Sequence, residues 1–282
     1  MRETAAHAHI FMTIYIYGLV LISVAKGMVI KMGKIVAVAN QKGGVGKTTT
    51  CVNLCAALAE RKVKVLLCDM DPQSNATSGL GLDKNKDGSN IYNVLIDGVD
   101  ATEAIVKTPY GDVLPSNKIL SGAGIELVAM PSREFVLKNT LESVRDKYEY
   151  ILVDCPPSLE LLTLNSLCAA DTVLIPVQCE YFALEGLSDL MSTIRTIKKL
   201  LNPALEIEGV LLTMYDARTN FSAQVAAEIK KFFKHKVYNV SIPRSVRLAE
   251  APSHGKPVME YDRASRGAIA YVELAKEFVK RG

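Results

Sequence analysis

Ten consecutive residues carry the densest chemistry of the chain: Asn40-Gln41-Lys42-Gly43-Gly44-Val45-Gly46-Lys47-Thr48-Thr49. Glycines let a backbone wrap a string of phosphates, and the free N–H groups of a helix start add donors and the positive end of a dipole. In such a loop Lys47 bridges the β- and γ-phosphates of a nucleotide, and the Thr48 hydroxyl ligates Mg²⁺. Gly43, Gly44, Val45, Gly46 and Thr49 complete the candidate cradle. The spacing departs from the common G-x-x-x-x-G-K-[ST] form at one position. Gln41 stands where the first glycine is expected, and a second lysine, Lys42, lies inside the loop.

Carboxylates recur at what read as strand ends, where open α/β sheets bind their ligands. Asp69 and Asp71 close LLCDMD; Asp154 closes ILVD and is followed by Cys155-Pro156-Pro157-Ser158. Asp154 is placed to hold Mg²⁺ directly or through water. Any one of the three could equally be a helix cap or a turn residue. Three of them beside a phosphate loop argue for one shared site. Other reactive residue types fit core roles better. Cys51 and Cys55 lie one helical turn apart without a CxxC or His partner, Cys155 lacks an activating neighbour, and His235 and His254 are isolated.

Positioning these residues takes alternating strands and helices. Short apolar runs at 34–39, 63–68, 149–153, 172–177, 207–213 and 237–242 predict strands. Helical patterns fall at 48–60 and near 132–146, 159–170, 184–201, 219–234 and 263–280. Strands with little polar alternation, separated by helices, predict an α/β fold: one domain with a mostly parallel twisted sheet flanked by helices on both faces. The Asp/Gly/Asn-rich stretch 81–100 reads as a surface excursion.

The chain has 282 residues, 49% of them hydrophobic and 22% charged, which excludes a disordered or low-complexity chain. Six cysteines are too sparse for a disulfide scaffold, so reduced thiols and a cytoplasmic setting are expected. The net charge of +3 hides an asymmetry: residues 218–282 carry 13 Lys+Arg against 6 Asp+Glu, and the rest of the chain is net acidic. That points to a polyanionic partner for the last quarter, or to a solvated basic helix face. Residues 1–31 are unlike the rest, with no acid, Lys or Arg between Glu3 and Lys26. Three readings apply: translation beginning at Met32, which is favoured; a membrane-associating leader; or an export signal. The domain is therefore taken as 32–282.

The segments KGGVGKTT, DMDPQSNATS, DCPPS, PVQCEYFALEGL, LLTMYDARTN and IPRSVRLAEAPSHGKPV together resemble the ParA/Soj partitioning ATPases, nearly continuously from residue 32 to 282. This is the deviant Walker-A group that also holds MinD. The resemblance implies a P-loop NTPase fold, ATP and Mg²⁺, and a dimer in which two protomers sandwich two ATP molecules. On it, Lys42 matches the signature lysine that reaches the partner's phosphates. Asp71, also a candidate Mg²⁺-site residue with Thr48 and Asp154, matches the switch carboxylate that positions the attacking water, and Asp154 the Walker B aspartate. Pro243 and Ser245 match the adenine-lining segment, although relatives often have Asn at the latter. Arg218 and Arg247 match positions implicated in sequence-independent binding of double-stranded DNA, and Lys230, Lys231, Lys234, Arg244, Arg263 and Arg266 could widen that patch. A ParB-type centromere-binding partner and nucleoid association follow, with no membrane partner expected. MinD-like membrane regulation is the alternative. Against it, Tyr271, Leu274 and Phe278 make the last helix read as docked on its own domain.

Overall fold

The computed structural model describes residues 32–85, 88–180, 183–216 and 218–282. The leader readings therefore lie outside the described residues. Seven strands form one sheet: β1 (Lys34–Val38), β2 (Val65–Asp69), β3 (Val106–Thr108), β4 (Gly111–Leu114), β5 (Tyr150–Asp154), β6 (Thr172–Gln178) and β7 (Glu206–Thr213). Their spatial order is β3-β4-β2-β5-β1-β6-β7, and every pairing is parallel except the β3–β4 hairpin at one edge.

Side-chain alternation builds a core on each face of the sheet. Along β1, Ile35 and Ala37 enter one core and Val36 and Val38 the other. The first core is closed by helices α4 (Leu120–Val128), α5 (Val136–Glu142), α6 (Leu161–Ala169), α7 (Ala183–Leu200) and α8 (Asn220–Phe233). The second is closed by α1 (Lys47–Glu60) and the final helix, α11 (Arg266–Arg281). Short helices α2 (Asn75–Gly79), α3 (Ala101–Ala104), α9 (Val246–Glu250) and α10 (Val258–Tyr261) fill the connections. Tyr271, Leu274, Ala275 and Phe278 of α11 are buried; the Tyr271 hydroxyl meets Thr50 Oγ1 at 3.2 Å, and Phe278 packs on Tyr150. Among the described residues no helix is long and apolar enough to cross a membrane.

Three expectations differ from what is seen. The 237–242 run is not a strand. Tyr238 N and Ile242 N still donate to the Val210 and Leu212 carbonyls of β7, with isolated bridges at Val210–Val237 and Tyr215–Pro243, but between them the carboxylate of Glu277 takes the Val240 N–H that a continuous ladder would need. The 81–100 stretch is a surface excursion only in its first half. Ile91, Val94 and Leu95 fold back into the core, the last two on a single π-helical turn at Asn93–Asp97. The 132–146 helix is shorter, ending at Glu142 before a 3₁₀ turn.

Candidate functional site

The glycine-rich loop joins β1 to α1 and is pinned from three sides. Asn40 Nδ2 donates to the Pro176 carbonyl of β6 (2.8 Å), its Oδ1 accepts from Lys42 N (3.0 Å), and Thr213 Oγ1 at the end of β7 donates to the Val45 carbonyl (2.8 Å). Gly44 and Gly46 hold φ of 73° and 89°, a left-handed conformation that glycine adopts without a Cβ penalty. Among the described residues no acceptor takes the backbone N–H groups of Gly44, Val45, Gly46 or Lys47. A Cβ placed on Gly43 or Gly44 would meet nothing within 4 Å, so the cradle opens to free space. Thr48 and Thr49 follow in the first turn of α1, whose N-terminus faces the same space.

Lys47 is buried, and its Nζ arches back over the loop to the Lys42 carbonyl at 3.2 Å. Burial pulls its pKa below the usual lysine value, while Asp154, Cys155 and Asp71 oppose that pull. Lys42 points elsewhere. Its Nζ pairs with Glu180 Oε2 at 2.9 Å, both side chains partly exposed.

The strand-end aspartates separate into distinct jobs. Asp69 and Asp154 are register neighbours on β2 and β5 and are both fully buried. Asp69 is saturated: Oδ2 accepts from Thr77 N (2.8 Å) and Oγ1 (2.7 Å), and Oδ1 from Asp71 N (3.1 Å). Burial nevertheless lifts its pKa to about 6. Asp154 is lifted further, to about 8, by burial and then by repulsion from Asp69, with Thr48 countering. Its Oδ1 accepts from Cys51 Sγ at 3.5 Å, whereas Oδ2 is buried with no partner. An orphaned carboxylate oxygen beside a phosphate cradle is what a cation would satisfy. Asp71, the next loop residue, is nearly buried; its Oδ1 accepts from Gln73 N at 2.9 Å. Among the described residues no three His, Cys, Asp or Glu side chains form a metal cage of their own. A cation here would complete its shell with phosphate oxygens and water, as Mg²⁺ does, so Thr48 and Asp154 fit it.

Beside the loop lies a cavity of about 200 Å³ lined by Gly46, Thr49, Thr213, Met214, Pro243, Ser245, Leu248 and Tyr271. Both expected adenine-segment residues border it, and so do Gly46 and Thr49 of the phosphate loop and helix start. Arg218 and Arg247 lie on the two segments that the Tyr215–Pro243 bridge ties together. Each is paired within the chain. Arg218 chelates Asp216 at 2.7 and 2.9 Å and holds that carboxyl down at about 2, while Arg247 meets Glu250 at 2.8 Å and Asp262 at 3.2 Å. Of the wider basic set, Arg263 is engaged by Glu60.

Several roles within the site escape motif reading, even for residues inside the quoted segments. Asn40 and Thr213 pin the loop, Thr77 saturates Asp69, Glu180 holds Lys42, and Met214, Leu248 and Tyr271 wall the cavity. Their roles depend on contacts between residues far apart in the chain, 168 positions for Thr213 and Val45 and 221 for Tyr271 and Thr50. The cysteines are all buried; Cys51 is pushed well above the usual thiol value, and Cys155 to about 12, chiefly by burial. That suits packing rather than nucleophilic attack.

Comparison with known proteins supplies context for this geometry. The family described as an AAA domain matches residues 33–207. The chain is 58% identical over 253 residues to the sporulation initiation inhibitor protein Soj of Bacillus subtilis, covering 89% of this chain and 100% of that protein. It is 50% identical over 252 residues to the chromosome partitioning protein ParA of Myxococcus xanthus, covering 89% of each. Among solved structures it is similar to a protein named cobyrinic acid a,c-diamide synthase from Mycobacterium smegmatis with bound ADP and magnesium. That likeness has a TM-score of 0.78 at 38% identity, over 88% of this chain and 95% of the other. It is also similar to the Pyrococcus furiosus cell division ATPase MinD, with a TM-score of 0.74 at 29% identity over 89% and 100%.

Proposed function

The chain belongs to the ParA/Soj family of chromosome-partitioning ATPases, and on that premise we propose that it is a nucleotide-switched DNA-segregation ATPase whose ATP-bound dimer coats DNA. It is an ATPase, with ATP as substrate and Mg²⁺ as cofactor. The observation that carries the site is the unpartnered, buried Asp154 Oδ2 at the end of β5, beside Lys47 and the open cradle.

The residues divide the reaction ATP + H₂O → ADP + phosphate as follows. Backbone N–H groups of Gly43 to Thr48 hold the phosphates, Lys47 neutralises the β- and γ-oxygens, and Thr49, Pro243 and Ser245 border the base and sugar. Thr48 and Asp154, with Asp71 alongside, would hold Mg²⁺, which when bound would draw negative charge away from the γ-phosphate. Asp71 orients the attacking water. Lys42, carried on an exposed part of the loop, leaves Glu180 to reach the phosphates of a second protomer, so that hydrolysis waits for dimerisation. A ParB-type partner accelerates that step.

Arg218 and Arg247, on segments joined at the Tyr215–Pro243 bridge, contact DNA phosphates without reading bases. The MinD-type membrane reading is disfavoured because the apolar face of α11 is spent on α1 and β5. The test is binding of the full chain to arbitrary duplex DNA with ATP, ADP or no nucleotide at two salt concentrations. Four phosphate contacts per dimer predict about a 50-fold loss of affinity for a threefold rise in salt. Arg218→Glu and Arg247→Glu should abolish binding and leave ATP-dependent dimers intact. Equal DNA binding with ADP and ATP, or binding indifferent to salt, overturns the proposal.

A further inference from the structure

Cys51 belongs to the second core by burial, yet its sulfur is not merely packed there. It lies three residues after Thr48 on α1, and positions i and i+3 share a helix face. Both residues bear on Asp154 from that face: Thr48 counters the upward shift of its carboxyl, and Cys51 Sγ lies 3.5 Å from Oδ1. The torsion that sets a carboxylate plane is soft and two-fold, so either oxygen can face either way unless a donor fixes one. Here one oxygen has a thiol partner and the other has none, although both are buried. The neighbouring donors Thr77 N, Thr77 Oγ1 and Asp71 N all go to Asp69, which leaves Thr48 and Cys51 as the side chains bearing on Asp154.

We propose that Cys51 is a positioning residue for the cation-holding carboxylate: its S–H engages Asp154 Oδ1, fixes the carboxylate plane and leaves Oδ2 free to meet Mg²⁺. A thiol is a weak donor. It therefore holds the plane without competing for the oxygen that must bind the ion. This rests on the ATP–Mg²⁺ reading of the site, and one variant separates the two.

The experiment titrates full-length protein with ATP carrying a fluorescent ribose label, in EDTA and across Mg²⁺ concentrations, with thermal melting alongside. Cys51→Ala removes the donor; Cys51→Ser restores one of similar size. Cys51→Ala should need about fivefold more Mg²⁺ for half-maximal nucleotide binding, the loss expected of one modest hydrogen bond. Its affinity in EDTA should match the parent, and Cys51→Ser should return within about twofold of the parent requirement. A parental Mg²⁺ requirement in Cys51→Ala, or equal impairment of the alanine and serine proteins, overturns the proposal. If the alanine protein does not fold, Cys51→Thr against Cys51→Val makes the same comparison, since these two match in shape and differ by a hydroxyl. Asp154→Asn should lose the Mg²⁺-dependent increment altogether. If it keeps that increment, the Mg²⁺ assignment of Asp154 fails and takes Cys51 with it; if only Cys51→Ala behaves as the parent, Cys51 alone is misassigned.

Discussion

Asp154→Asn should change how the nucleotide-free protein responds to pH, and the size of the effect follows from the burial of that carboxyl. In the folded chain burial and the neighbouring Asp69 raise Asp154 from 3.8 to about 8. Between those two values the folded state keeps a proton that the unfolded state has released. Stability is therefore highest at the acid end of that window and falls as pH rises, by up to about 1.4 kcal/mol per pH unit for this one group. From pH 5.5 to 7.5 the parent chain should lose about 2 kcal/mol that an asparagine cannot lose, because the amide has no proton to give. Asp69, raised to about 6, is present in both proteins and largely cancels in the comparison. For a chain of this size the difference is about 4–8 °C in melting temperature. The assay is calorimetry in EDTA without nucleotide at pH 5.5, 6.5 and 7.5. What matters is the slope, since a buried amide shifts the absolute value for its own reasons. Parallel melting curves for the two proteins across that range would refute the buried, proton-holding carboxyl.

Three further outcomes are expected. Asp71→Ala should trap an ATP-loaded dimer on DNA, seen as stalled phosphate release with DNA retained; ordinary turnover removes the water-positioning role. Lys42→Ala should bind ATP within about threefold of the parent and lose hydrolysis, while melting within about 2 °C of it, because the Lys42–Glu180 pair is partly exposed and contributes little. Gly209→Ala should cost about 2 kcal/mol, read as a 4–8 °C drop in melting temperature, since the new Cβ would lie 2.5 Å from Tyr238 Cε2 and 2.8 Å from the Lys236 carbonyl. A parental melting temperature would mean that the β7–Tyr238 contact is looser than described.

Local chemistry was legible where it is encoded in neighbours along the chain. The loop from Asn40 to Thr49 carries its own glycines, lysines and helix start, and the buried runs of β1, β2, β5, β6 and β7 declare a covered parallel sheet by lacking polar alternation. Legibility fails where a distant residue decides. Residues 237–242 have strand composition, but Glu277, nearly forty positions later, takes the Val240 N–H and interrupts the ladder between Tyr238 and Ile242. The β3–β4 hairpin is hidden because β3 is three residues long and mostly exposed, with Gly111 at φ 112° opening the return strand. Asp69 and Asp71 look equivalent as sequence, yet Thr77 absorbs the first and leaves the second in the loop.

The same contrast separates the site's permanent parts from its switchable ones. Lys47 and Asp154 are buried, and their unmet charge or orphaned oxygen can be satisfied only by what enters the cradle. Lys42, Arg218 and Arg247, the cations proposed to face a second protomer or DNA, are partly or fully exposed and already paired with Glu180, Asp216, Glu250 and Asp262. Exposed pairs of this kind are weakly held and screened by salt. Each can exchange a carboxylate for a phosphate at small cost, whereas an unpaired cation in the same place would bind any polyanion at any time. Pairing within the chain thus quiets these three cations in the lone protomer. On the proposed reading, phosphate contacts accumulate when a dimer presents two copies of each arginine together, which is the property a nucleotide-gated DNA coat requires.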